Sequence, residues 1–355
     1  MLKKSSFFSK KLISWYLQNK RDLPWRGTSR PYFIWLSEIL LQQTRVAQGL
    51  PYYLKFVKRF PTIDDLAAAS EDEVLKLWQG LGYYSRARNL HSTAKYISEE
   101  LNGDFPKTHA ELLKLKGVGD YTASAIASLS FNEPTAVVDG NVYRVLSRVF
   151  GIVTPINESK GIKEFKALAQ ELIDPDQPGT YNQAIMEFGA RYCVPQNPDC
   201  KNCIFNTECE ANRLHQVSTL PVKPKKQKIR KRYFNYMILL SEDDMTILQQ
   251  RKGKGIWQNL YEFPLLESTS EISSHELKHW EPFLNFSKKY LPSSVSLYNE
   301  SSVIHKLSHQ HLYTRFWIVE VTKLQELGIP ISEITNYAVP VLIENFISTF
   351  YRMKS

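Results

Sequence analysis

Four cysteines, Cys193, Cys200, Cys203 and Cys209, fall within 17 residues in the pattern C-x6-C-x2-C-x5-C, and the rest of the 355-residue chain holds none. A chain that avoids thiols elsewhere and then gathers four is built for a thiolate-held metal centre rather than a disulfide framework. Zinc sites of four cysteines usually pair two short C-x2-4-C knuckles, and only Cys200 and Cys203 have that spacing. Iron–sulfur clusters tolerate uneven spacing. The pattern favours a cluster, with structural zinc and two disulfides as the competing readings.

Two carboxylates have surroundings suited to acid–base work. Glu38 has Ile34, Trp35 and Leu41 at i−4, i−3 and i+3, which places its carboxyl group on a partly buried helix face. Burial disfavours the charged form, raises the pKa and suits a general acid, whereas a salt-bridged core glutamate is the plain structural alternative. Asp139 ends the extended run Thr135-Ala136-Val137-Val138 and opens a helix from about Val142, where an N-cap is its ordinary role. A helix N-terminus is expected to lower its pKa and keep it ionised beside a developing cation. Carboxyls pushed apart in this way make an acid and stabiliser pair. A third feature, Leu115-Lys116-Gly117-Val118-Gly119, combines two glycines for a tight turn with the N-terminus of a helix from Tyr121. Backbone N–H groups there form an anion site fit for a phosphate, flanked by Lys114 and Lys116, although a plain turn between helices has the same spacing.

These residues need a scaffold, and apolar periodicity supplies one. Segments 8–19, 32–49, 72–79, 85–101, 121–130, 140–149, 161–172 and 180–191 carry apolar residues at i, i+3, i+4, separated by Gly, Pro or Asp, which predicts an all-α part ending in the cysteine loop. PVKPKKQKIRKR, residues 221–232, holds two prolines and seven Lys or Arg and is expected to be an exposed tether that can also meet DNA phosphates. Beyond it, 233–240, 246–250 and 312–321 read as strands among a few helices, a second part of α+β character. The first 20 residues are basic and free of acids, as in a targeting peptide, but Phe8, Leu12, Trp15 and Tyr16 recur at helical spacing and predict the first helix of the fold. Lysine and arginine number 45 against 36 acids, a net charge of +9, and a polyanionic partner is the simplest reason for that excess. No apolar run approaches the ~18 residues of a membrane span.

Together these motifs carry a resemblance. The Leu115–Gly119 hairpin, the Val137-Val138-Asp139-Gly140-Asn141-Val142 segment and the cysteine spacing resemble the helix-hairpin-helix DNA repair glycosylases with an iron–sulfur loop. Within that superfamily, Trp35-Leu36-Ser37-Glu38-Ile39-Leu40-Leu41-Gln42-Gln43-Thr44-Arg45-Val46 and Gly80-Leu81-Gly82-Tyr83-Tyr84-Ser85-Arg86 are similar to the adenine DNA glycosylase (MutY) family. The resemblance implies a [4Fe-4S] cluster on the four cysteines, Lys116, Gly117, Val118 and Gly119 at a DNA phosphate, and excision of adenine opposite 8-oxoguanine or guanine in double-stranded DNA. It assigns Glu38 to protonate the base at N7 and Asp139 to stabilise the sugar cation or attack it covalently, with Tyr121 and Asn141 orienting them. Trp25, Arg26 and Gln183 resemble the adenine-pocket lining, and Gln43, with Thr44, and Tyr83 resemble the wedge near 8-oxoguanine. Tyr121 stands where related bifunctional enzymes hold a Schiff-base lysine; a phenol forms no imine, so a monofunctional enzyme is expected. Lys201 in the cysteine loop is expected near the DNA backbone.

Leu248 to Leu266, with Gly253, Gly255, Trp257, Leu260, Glu262, Phe263 and Pro264, resembles the start of a Nudix-type domain, yet no R-E-x-x-E-E helix follows and the metal-binding carboxylates are missing. What remains fits a recognition module, in which Leu307-Ser308-His309 is similar to the family's Phe-Ser-His loop, and Ser308 and His309 supply hydrogen-bonding groups. His305, His309 and His311 lie without cysteine or carboxylate among them and are not expected to hold a metal. The expected organisation is a helix-hairpin-helix glycosylase domain over 1–212 with the cluster loop, a basic linker over 213–232 and a Nudix-like 8-oxoguanine recognition domain over 233–355. The expected enzyme is a cytoplasmic monomer acting on nucleoid DNA, with no membrane partner. The competing functions are a thymine-mismatch or oxidised-pyrimidine glycosylase, or a non-catalytic iron–sulfur DNA-binding regulator.

Overall fold

A computed structural model describes residues 2–223 and 229–354. Twelve helices precede the first strand: α1 Leu2–Asn19, α2 Pro31–Leu41, α3 Val46–Arg59, α4 Ile63–Ala68, α5 Glu71–Trp78, α6 Ser85–Glu100, α7 His109–Leu112, α8 Asp120–Phe131, α9 Gly140–Phe150, α10 Ser159–Leu172, α11 Pro178–Arg191 and α12 Glu210–Arg213. A 3-10 turn, Pro24–Arg26, follows α1. The remainder runs β1 Arg230–Ser241, β2 Met245–Thr246, β3 Gln249–Gln250, β4 Tyr261–Glu262, β5 Leu265–Ser268, α13 Ser274–Leu277, α14 Glu281–Tyr290, β6 Ser294–Leu297, β7 Val303–Lys306, β8 Gln310–Val321, β9 Ile329–Pro330 and α15 Val341–Lys354. No helix among the described residues is long and apolar enough to cross a membrane.

By their contacts the described residues form two compact units. One takes residues up to 68 and 89–223, the other 69–88 and 229–354. Residues 69–88, which precede the linker in sequence, thus belong with the strands. Lys76 Nζ donates to the Thr335 and Tyr337 carbonyls (2.6 and 3.0 Å), Arg88 donates to the Gln258 carbonyl (2.8 Å), and Asn259 Nδ2 donates to Glu71 (2.5 Å).

In the first unit α8 is buried along Thr122–Ser128, a run of small residues that lets α2 and α11 approach it closely. The core gathers Phe8 and Leu12 of α1, Val142 and Val145 of α9, Phe165 of α10 and Phe188 of α11. Phe205, from the cysteine loop, completes it: its ring stacks on Phe8 at 4.8 Å and meets Phe188 edge-on at 5.5 Å. Burying a phenylalanine there is worth about 3 kcal/mol, so the loop is anchored to the core by this ring.

Two expectations need correction. The segment 32–49 is not one helix: α2 ends at Leu41, the Gln42 N–H closes on the Glu38 carbonyl at 3.2 Å, and Gln43 adopts a left-handed conformation (φ 56°) before α3 begins at Val46. Gln-Gln-Thr-Arg contains no breaker, so the interruption is imposed by tertiary packing. The basic stretch 221–232 is not a tether throughout, because Arg230–Arg232 already pair in β1 beside Gln310–Leu312; residues 224–228 of it lie outside the described residues.

The second unit is a mixed sheet in the order β5-β1-β8-β6, with β7 also paired to β8. β1 and β8 run parallel in register from Arg230↔Gln310 to Ser241↔Val321. One face of their far half, Met237, Leu239, Trp317 and Val319, packs with Leu277, Phe283, Phe286 and Tyr290 of α13 and α14. On the opposite face Phe346 of α15 stacks on Phe316 at 4.2 Å.

Candidate active site

Glu38 lies mid-α2 at 7% exposure, because both helix faces around it are apolar and α8 packs against them. Burial drives its carboxyl up from the usual 4.5 to about 7; a hydrogen bond from the Tyr121 hydroxyl pulls the other way, while the Asp139 charge adds to the rise. At that value Glu38 holds a proton about half the time at neutral pH, the condition for a general acid. The Tyr121 hydroxyl also lies 3.1 Å from Met186 Sδ, so the thioether can take its single proton when Glu38 is itself protonated.

Asp139 caps α9. Its Oδ1 accepts from the backbone N–H groups of Asn141 and Val142, both at 2.8 Å, and its Oδ2 accepts from Asn141 Nδ2 at 2.8 Å. The expected drop in its pKa does not occur. Burial raises it, and the raising effect outweighs the lowering by the three cap hydrogen bonds and the Arg144 charge. Asn141 is in turn fixed by Arg144, whose Nη2 donates to Asn141 Oδ1 (2.8 Å) and to the Gly189 carbonyl (2.5 Å), and whose Nε donates to the Cys193 carbonyl (2.7 Å). Gly189 permits this approach: a Cβ there would sit 2.7 Å from Asn141 Cβ and 3.0 Å from its carbonyl oxygen.

Trp25, Arg26 and Gln183 gather on a second wall. Trp25 is buried edge-on to Tyr53 at 5.0 Å. Arg26 donates from Nε to Gln183 Oε1 (3.2 Å) and from Nη2 to Glu187 Oε2 (2.7 Å), and Arg21 takes the same carboxylate at 2.6 Å. Burial alone would raise Glu187, yet these arginine hydrogen bonds hold it down to about 2, so Arg26 is locked by an anion that stays charged. Trp25, Arg26 and Gln183 line a cleft of about 320 Å³. Glu38, Tyr121 and Asp139 are not part of its lining; Arg26 links the two by its field at Glu38.

At the hairpin, Gly117 has φ +80° and a Cβ there would collide with Asn89 Cβ at 2.7 Å, so the turn requires glycine. Lys116, Gly117 and Gly119 are exposed, whereas Val118 is buried and its N–H donates to the Leu115 carbonyl at 3.1 Å. Gln43 is exposed and Thr44 half-buried. In the second unit Tyr83 is 47% exposed with φ 48°, and the Arg86 guanidinium lies 5.5 Å from its ring centre. Left-handed backbone at a non-glycine residue costs roughly 1 kcal/mol and persists where the surrounding structure holds it. Ser308 and His309 form the exposed β7–β8 turn, closed by Leu307 N–H to the Gln310 carbonyl (2.9 Å). His305 faces Trp257 at 5.7 Å.

All four cysteines line one cavity with Arg148, Phe188 and Tyr192, although among the described residues no three of His, Cys, Asp or Glu stand close enough to hold a single metal ion. Arg148 is 2% exposed and its partners are the carbonyls of Val194 (2.8 Å), Pro195 (3.0 Å) and Leu220 (3.2 Å) and Cys193 Sγ (3.5 Å). A buried cation aimed at sulfur fits a thiolate-ligated, net negative group. Burial pushes the Cys203 thiol up to about 12, so a metal centre must displace its proton on binding. Arg144, Arg148, Gly189, Met186, Arg21 and Glu187 escaped the sequence reading, as did the bonding of Arg26 to Glu187. For the arginines the only available signal was their spacing of four on α9.

Comparisons with known proteins identify the family. The family described as HhH-GPD superfamily base excision DNA repair protein matches residues 36–175, and the NUDIX domain family matches 235–349. An adenine DNA glycosylase of Buchnera aphidicola subsp. Baizongia pistaciae is 36% identical over 315 residues, covering 88% of this chain and 86% of the relative. The human adenine DNA glycosylase is 48% identical over 224 residues, covering 60% of this chain and 41% of the relative, so the chain spans less than half of that longer protein. Among solved structures, a thermostable thymine-DNA glycosylase aligns with TM-score 0.56 at 30% identity, covering 60% of this chain and 98% of that one. A non-covalent endonuclease III–DNA complex aligns at 0.53 and 21% identity, covering 61% and 98%, which speaks to the fold alone. With a relative 36% identical and 86% covered, and with both family models matched in order, the chain belongs to the adenine DNA glycosylase family.

Proposed function

We propose that this chain hydrolyses the N-glycosidic bond of adenine paired with 8-oxoguanine or guanine in double-stranded DNA. The observation that carries the reading is Glu38: a carboxyl buried beside Tyr121 and Asp139 and poised at about 7. Adenine must first leave the stack, at a cost of a few kcal/mol. Glu38 then gives its proton to N7 of the base, the C1′–N9 bond breaks with its electron pair leaving on adenine, the Asp139 carboxyl faces the cationic sugar, and water adds to C1′ while its released proton returns to the emptied Glu38 carboxylate. Asn141 and Tyr121 hold these carboxyls in line, and Trp25, Arg26 and Gln183 form the base-side wall. Because Tyr121 offers no amine, the product is an abasic site without Schiff-base strand cleavage.

Cys193, Cys200, Cys203 and Cys209 would hold a [4Fe-4S] cluster, supported by their shared cavity and by Arg148. When bound, the cluster supplies iron–thiolate bonds that tie the loop bearing Lys201. Lys116, Gly117 and Gly119 take a DNA phosphate at the turn that Val118 closes, its own N–H being given to the Leu115 carbonyl; Gln43, Thr44 and Tyr83 wedge the stack, and Ser308 and His309 read the oxidised base. In this reading the glycosylase domain takes residues up to 212 apart from 69–88, the linker ends before β1 at Arg230, and the recognition domain follows from there together with 69–88, in a cytoplasmic monomer that works on nucleoid DNA.

The test is single-turnover base release from duplexes pairing adenine with 8-oxoguanine, guanine or cytosine and thymine with guanine, at stated salt. Adenine release that is fastest opposite 8-oxoguanine is expected. Preferential thymine release, the activity named for the aligned thermostable glycosylase, would overturn the assignment, and DNA binding without any base release would leave a regulator.

A further inference from the structure

The near end of the sheet in the second unit carries a row of residues that base excision does not use. Lys231, His311 and Lys306 stand side by side across β1, β8 and β7, and two residues along the same face come Tyr233, Tyr313 and Ile304. Paired residues share a face and so do residues two apart, so these six project together. The Tyr233 and Tyr313 rings lie 5.2 Å apart at 30°, the Lys231 ammonium is 5.6 Å from the Tyr313 ring centre, and Ile304 is 48% exposed. Helices α13 and α14 cover this face only beyond the next row, where Arg315 pairs with Glu271 (3.2 Å) and bonds the Ile272 carbonyl (2.8 Å). Among the described residues, Lys231 and Lys306 enter no ion pair.

We infer that this face is a platform for unpaired, single-stranded DNA, with Tyr233 and Tyr313 stacking on bases and Lys231, Lys306 and His311 meeting the backbone. Two neighbouring half-buried tyrosine rings flanked by unpaired cations fit a polyanion whose repeating units have π-faces, which an acidic peptide lacks. The same hairpin carries Ser308 and His309 at its tip, and Tyr313 lies four residues along β8 from His309, about 13 Å of strand. The inference rests on the reading that the chain acts on DNA and adds a strand-binding surface outside the excision site.

The full-length protein is titrated into a labelled single-stranded oligodeoxynucleotide and into the matching duplex, followed by fluorescence anisotropy over a range of salt. Tyr233→Leu combined with Tyr313→Leu is expected to weaken single-strand binding at least about tenfold while duplex binding changes less than about twofold. Lys231→Gln with Lys306→Gln is expected to flatten the log–log salt dependence for the single strand by about 1.4. The lysines are exposed, so the second variant remains informative if the first does not fold. Wild-type single-strand affinity and salt slope in the folded variants would overturn the platform, as would polyglutamate competing as well as DNA of equal charge. Either failure leaves adenine release in the mispair panel untouched, and absence of adenine release leaves these binding measurements standing.

Discussion

Replacing Glu38 by glutamine should make the protein more stable and inactive at once. The carboxyl rises from 4.5 to about 7 on folding, so the folded state binds its proton more tightly than the unfolded chain does. Stability from this group is therefore complete below pH 4.5 and is lost as the pH rises to 7. At about 1.4 kcal/mol per pKa unit, the ionised group costs about 3 kcal/mol at pH 8. Glutamine is nearly isosteric and has no charge to bury, so Glu38→Gln should raise the melting temperature at pH 8 by about 6 °C or more. The gap should close as the pH approaches 4.5. Thermal melts from pH 5 to 8 measure the first effect, and single-turnover adenine release measures the second, with a loss of at least about 100-fold expected for a general acid. A stability gain that is the same at pH 5 and pH 8 would refute the burial argument, and wild-type release would remove Glu38 from the chemistry.

Further outcomes follow from the same geometry. The wild-type single-turnover rate should be flat below about pH 6 and fall about tenfold in all between pH 6 and 8, since Glu38 must carry its proton; a tenfold fall per unit throughout would return it to an ordinary carboxyl. Tyr121→Phe removes the hydrogen bond that lowers the Glu38 pKa, so the midpoint should move up by about one unit; an unmoved midpoint would dissolve the coupling. Gly189→Ala forces a methyl to within 2.7 Å of Asn141 and should cost about 1–3 kcal/mol while slowing base release, read by chemical denaturation and single-turnover kinetics. Glu187→Gln should destabilise by on the order of 3 kcal/mol at pH 7, with the difference fading as the pH falls below 4.5 toward 2, where wild-type Glu187 is itself protonated; acid-range melts give the answer.

Much of the candidate site was legible because its residues carry local signals. Glu38 sits in an apolar run, Asp139 stands where an extended run meets a helix, and Gly117 must be glycine for a left-handed turn. What stayed hidden depends on distance along the chain. The break at Gln43 has no sequence breaker, and the association of residues 69–88 with the strands rests on contacts to residues near 258 and 337. The sign of the Asp139 shift was misread because a cap is visible in sequence and the depth of its carboxyl is not. Arg144 and Arg148 bond to carbonyls 45 and more residues away, which no local pattern encodes.

The seating of Phe205 on Phe8 ties the order of synthesis to the order of folding. Lys11 reinforces the contact, reaching the Ile204 carbonyl at 3.0 Å and Glu208 at 2.9 Å. The first helix made is therefore completed by one of the last segments of its unit. Until residue 205 has left the ribosome, at about 5–20 residues per second, α1 waits some ten seconds or longer with its aromatic face uncovered. Cys209 is made later still, so a chain whose cysteine loop fails to form should show it first as exposure of the amino-terminal helix to proteases and chaperones, before any effect on chemistry.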